Sequence, residues 1–135
     1  MNSFNHFAFG AIGEWMVRTI AGLNLDPDHP GWKHFYVRPI PPPQGGISYA
    51  KATYRSIHGY ITVSWRIEEG RFLLDLTVPA NTWATVEIPT RDAESVKEGG
   101  WPAGDATGIT AGSVTADTAT FSVRAGTYHF SAKAR

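Results

Sequence analysis

The chain has 135 residues, with 12 Lys and Arg balanced by 12 Asp and Glu and no cysteine. That length suits one domain of ordinary size with a real core, and the zero net charge leaves no basic field to hold a nucleic acid or an anionic membrane surface. Without cysteine there are no disulfides, no thiolate catalysis and no cysteine metal site, so the redox compartment stays open.

The first segment is unusual for its lack of a polar side. Between Phe7 and Leu23 the only charges are Glu14 and Arg18, spaced i, i+4 in the favourable order. Asn2 or Ser3 can cap a helix running from about Asn5 to Ala21, and Gly22 suits the left-handed residue that ends one, with Leu23 as its hydrophobic partner. A helix that is apolar nearly all round is normally enclosed by other helices, and the rest of the sequence offers none. Gly10, Gly13, Glu14 and Arg18 interrupt the stretch, so it is not a transmembrane span. It also lacks the basic start and small-residue cleavage site of a signal peptide.

The segment LDPDHPGWKHFYVRPIPPPQGG follows. Its prolines, among them Pro27, Pro30, Pro39 and Pro41, forbid helix, and it reads as a stiff linker over residues 25–46. From Ile47 the hydrophobic period becomes two. Ile61, Val63, Trp65 and Ile67 alternate with polar residues, and after a turn at Glu68 to Gly70 the alternation resumes at Phe72, Leu74, Leu76 and Val78, which predicts a hairpin with one buried face. WATVEIP adds a strand with Ala84, Val86 and Ile88 inward, and ATFSVRAGTYHFSA adds two joined through Ala125 and Gly126. With ISYAKATYRSIHG, the count is six to eight short strands, predicting a mainly β fold: an antiparallel β-sandwich over residues 47–135, preceded by one N-terminal hydrophobic α-helix over residues 1–24. The expected core is Val63, Trp65, Phe72, Leu74, Leu76, Val86, Ile88, Phe121, Val123, Tyr128 and Phe130, forming a complete domain from about Trp32 onward. No G-x-S-x-G elbow and no phosphate-binding glycine loop occurs.

The runs NSFNHFAFGAIGEW, RTIAGLNLDPDHPGWKHFYVRPIP, LTVPANTWATVEIP and VRAGTYHF, in that order, resemble the C-terminal end of bacterial α-L-rhamnosidases of glycoside hydrolase family 78. The resemblance implies that the first block is the last inner helix of an (α/α)6 barrel, its neighbours lying outside this chain, and that the remainder is the β-sandwich beside it. The family cleaves terminal rhamnosides with inversion, using one carboxyl group as general acid and another as the base that activates water. Both lie upstream of the first block, so the resemblance implies that no catalytic residue matches here, while His6 corresponds to a position lining the rhamnose subsite.

Other candidates have plainer readings. Glu14 tempts as a catalytic acid, but Arg18 already explains it. Asp26, Asp28, His29 and His34 could ligate a metal if a turn brought them together, yet their spacing fits no zinc pattern, and the expectation is solvated loop residues, with no metal and no cofactor. Trp83 should point outward with Thr85 and Glu87, where it can stack on a sugar or pack against the barrel. The expected function is therefore that of a non-catalytic accessory part of an α-L-rhamnosidase acting on rhamnose-containing glycosides, from a cytoplasmic or periplasmic bacterial parent. The alternatives are an independent carbohydrate-binding module using Trp83 and a small glycosidase with a site assembled across an oligomer interface. An exposed apolar helix would also drive homo-oligomerisation.

Overall fold

The computed structural model describes residues 20–41 and 46–134. Nine strands are formed among them: β1 (Leu23–Leu25), β2 (His34–Val37), β3 (Tyr49–Ser56), β4 (Gly59–Glu68), β5 (Arg71–Pro89), β6 (Lys97–Glu98), β7 (Trp101–Pro102), β8 (Ile109–Val114) and β9 (Thr118–Lys133). The helical elements with spans of their own in these residues are short 3-10 turns at Pro30–Trp32, Ala93–Ser95 and Ala103–Asp105. The expected N-terminal helix, and with it His6, Glu14 and the surface assigned to self-association, lies outside the described residues except at its end. There Gly22 has φ +87°, as a left-handed terminating residue should, whereas Leu23 begins a strand instead of closing a helix cap.

The hairpin expected at Glu68 to Gly70 is present. Glu68 pairs with Arg71, and the two residues between them, Glu69 at φ 52° and Gly70 at φ 77°, both take positive φ, the conformation that matches strand twist in a two-residue hairpin. β3 pairs with β4 through a second tight turn, in which the Ser56 hydroxyl donates to the Gly59 carbonyl at 2.8 Å and accepts from the His58 N–H at 3.1 Å.

β5 and β9 organise the rest. β5, of 19 residues, and β9, of 16, run antiparallel along each other, so the three short strands read from WATVEIP and ATFSVRAGTYHFSA are halves of longer ones. Their pairing breaks between Val78 and Trp83, where Pro79–Ala80–Asn81–Thr82 stands opposite Ala125 alone. The Thr82 hydroxyl donates to the Pro79 carbonyl at 2.6 Å, and Asn81 sits at φ 65°, a conformation Asn tolerates better than most residues. A strand that bends at an insertion of this kind passes from one sheet region to another. Before the corner β5 pairs with β4 and the second half of β9, to which β3 and the β6–β7 pair attach in turn; after it β5 pairs with β2 and the first half of β9, to which β1 and β8 attach.

Inward side chains from both regions meet in one core. All eleven residues expected there are buried, led by Trp65, Phe72 and Phe130. Two findings correct the sequence-based picture. The proline-rich stretch carries β2 and the end of β1, with Leu23 1% and Phe35 and Val37 each 0% exposed, because HFYV is short enough to pair between flanking prolines. And β2 runs parallel to β5, so the pairing is not wholly antiparallel; a parallel neighbour needs a long connection, which the β3–β4 excursion supplies.

Candidate functional site

DPDH closes a local turn. The Asp26 carbonyl accepts the His29 N–H at 3.1 Å, closing a turn in which Pro27 takes the second position, where its fixed φ is favourable. Asp26 Oδ1 accepts the Asp28 N–H at 3.0 Å, the side-chain version of the same turn. The Pro30–Trp32 turn follows, with Gly31 at φ 76° and Trp32 at φ 63°; the Trp32 ring is held there by Tyr54 and Phe35, with centroids at 4.6 and 6.1 Å. This reversal lays the loop over the outer face of β2 and β5.

The parallel register sets what it covers. His34 stands beside Trp83 and Tyr36 beside Thr85, all directed away from the core side on which Phe35, Ala84 and Val86 lie. Asp26 Oδ2 accepts hydrogen bonds from His34 Nδ1 at 2.7 Å and His29 Nδ1 at 2.8 Å, while His34 Nε2 meets Thr85 Oγ1 at 2.8 Å. Trp83 packs against His34 at 4.9 Å and His29 at 5.1 Å between ring centroids. Tyr36 crosses His34 edge-on, and Arg38 lies 3.8 Å above the Tyr36 ring while pairing with Glu87.

Asp26 is 4% and His34 5% exposed, which corrects the expectation that they are solvated; His29 and Asp28 remain nearer the surface. The hydrogen bond from His34 is the chief reason the Asp26 carboxyl falls from 3.8 to about 2, against the opposing effect of burial and with help from the Asp28 N–H and His29. An ionised carboxylate only accepts, so both Nδ1 atoms carry hydrogen. A neutral His34 then has a bare Nε2, and the Thr85 hydroxyl donates to it.

The arrangement is a clasp in which the Thr85 hydroxyl, the His34 imidazole and the Asp26 carboxylate form one hydrogen-bonded line. Asp26 is the only buried carboxylate among the described residues, so a hydrolytic pair of enclosed carboxyl groups does not form there. Trp83 does point outward as expected, but the two imidazoles lie against it. Sequence reasoning missed Tyr36 and Arg38, and gave Thr85 its outward direction but not its partner His34; the signal available was the alternation of HFYVR, which puts His34, Tyr36 and Arg38 on one side of a strand. A separate groove of about 420 Å³, lined by Ile20, Ala21 and the residues from Gly46 to Ala52, lies at the edge strand β3.

Comparison with known proteins places this fold. Two α-L-rhamnosidases, from Streptomyces avermitilis and Formosa agariphila, are 41% and 42% identical over 97 residues, covering 72% of this chain and 9% and 10% of theirs. The chain thus spans about a tenth of the length of these relatives. The crystal structure of the S. avermitilis α-L-rhamnosidase complexed with L-rhamnose aligns with a TM-score of 0.79 at 36% identity, over 98% of this chain and 12% of that one. The structure of the enzyme from Dictyoglumus thermophilum aligns at 0.77 with 28% identity, over 93% and 14%. Residues 22–101, which include the Asp26 clasp and both strands that frame it, match the family described as the bacterial alpha-L-rhamnosidase C-terminal domain, and to that family the chain belongs.

Proposed function

We propose that the chain is the non-catalytic C-terminal part of an α-L-rhamnosidase: a β-sandwich that takes in β1 and β2 as well as the strands after residue 47, and that braces a helical barrel whose last helix ends before Gly22. In such a parent, terminal α-L-rhamnosides are hydrolysed with inversion by an acid and a base upstream of this chain, and His6 contacts the sugar. The apolar residues between Phe7 and Ile20 would then meet barrel helices in the parent and a second copy when the chain is alone. The observation that carries this reading is the family match over residues 22–101 in a chain about a tenth as long as its relatives. Exposed apolar side chains at the β3–β4 hairpin, Tyr49 at 71%, Ile57 at 84% and Tyr60 at 59%, support packing against a larger body. The imidazoles against Trp83 favour packing over sugar stacking there.

The test is an assay of the purified chain on an aryl α-L-rhamnoside. An inverting mechanism without its acid and base forgoes contributions of about 10²- to 10⁴-fold each, so no turnover above background is expected. Turnover that survives repurification and disappears in Glu14→Gln or His6→Ala would replace this reading with that of an enzyme assembled between copies.

A further inference from the structure

Asp26, His29 and His34 hold three metal-ligating atoms within 4.8 Å of one another, a set that a purely bracing role leaves without chemistry. Their surroundings are those of a ligand shell. The second oxygen of Asp26 is held by the Asp28 N–H, and the far nitrogen of His34 is held by Thr85; outer hydrogen bonds of this kind fix the orientation of metal ligands. His29, with its side chain 43% exposed, gives a route in from solvent and room for a water on the remaining position.

We propose that this clasp binds a single zinc ion through Asp26 Oδ2, His29 Nδ1 and His34 Nδ1. Two imidazoles, a carboxylate and an open fourth position suit zinc, whose bonds to nitrogen and oxygen are about 2.0–2.2 Å. At present the two Nδ1···Oδ2 separations are 2.8 and 2.7 Å and the two imidazole nitrogens lie within 4.8 Å of each other; a tetrahedral ion holds its ligands about 3.3 Å apart, so the imidazoles draw back from the carboxylate oxygen by roughly half an ångström and close toward each other as the metal enters. The partly exposed His29 ring can supply that movement. Neutral imidazoles shift their hydrogen from Nδ1 to Nε2 and release no net proton. In His34 the new Nε2–H then donates to Thr85 Oγ1, reversing the present hydrogen bond without breaking it.

The experiment is calorimetric titration of the untagged chain with zinc sulfate, repeated with Co²⁺ read by its visible absorption and followed by thermal melts. Saturation at one ion per chain in the micromolar range, an intense tetrahedral Co²⁺ band and a higher Tm with zinc are expected. His29→Ala should melt close to the parent without metal yet bind at least about tenfold more weakly, whereas His129→Ala, which removes the exposed His129–Asp75 pair, should bind as the parent does. Absence of saturation up to about 1 mM, unchanged binding in His29→Ala, or loss in His129→Ala would each overturn the proposal.

Discussion

Asp26 keeps its charge inside the fold because three donors converge on it, and that makes its contribution to stability sensitive to acid. Its folded value of about 2 lies below the ordinary 3.8. Contacts to the ionised form therefore contribute fully above about pH 4 and are lost as the pH falls from there through about 2. The expected outcome is a Tm that declines across that window in the parent and declines less in Asp26→Asn, which has no carboxylate to protonate; parallel curves in circular-dichroism melts would show that Asp26 does not carry the effect. His34 is the natural partner in this linkage, since it supplies the largest single influence on Asp26 and is itself buried.

At the scale of elements, the corner of β5 decides the architecture. Four residues opposite one turn a continuous strand through the break between Val78 and Trp83, and the inward set Phe72, Leu74, Leu76 and Val78 continues in phase as Ala84, Val86 and Ile88. Asn81 takes the positive φ that the corner requires, while its side chain is exposed, so the backbone conformation matters more than packing. Asn81→Gly should be close to neutral, whereas Asn81→Val should cost about 2 kcal/mol, because a β-branched residue resists the left-handed region. Urea denaturation of the two variants checks this, and equal stability would mean that the corner relaxes at little cost.

For the whole molecule, the described core extends further toward the N-terminus than the alternating pattern suggests. Ile20 and Leu23 are 6% and 1% exposed, and the Trp65 indole N–H donates to the Ile20 carbonyl at 2.8 Å. A chain beginning at Ile20 keeps these contacts; one beginning at Trp32 loses them together with β1 and Asp26. The first should melt cooperatively with a β-type circular-dichroism spectrum and run as a monomer in light scattering, where the full chain is expected to associate through its apolar first segment. The second should be several kcal/mol less stable, as expected when large buried side chains are removed. Equal melts of the two truncations would show that the β1–β2 segment adds little to the core.

The hairpin between β4 and β5, the inward residues of five strand segments and the outward direction of Trp83 were all legible in the sequence, because a two-residue period sorts side chains by face without reference to any partner. Recognition of the family was legible too, since its blocks are local runs kept in order. Tertiary structure alone decided that HFYV pairs parallel to WATV, that two pairs of apparent strands are one bent strand each, and that Asp26 and His34 are enclosed. Prolines at positions 27, 30 and 39 disguised the first strands, because they forbid helix and interrupt strands equally well. The clasp stayed hidden for a related reason: its ligands become neighbours of Thr85 and Trp83 only through a pairing that spans about fifty residues, and no local spacing reports which strand will lie beside which.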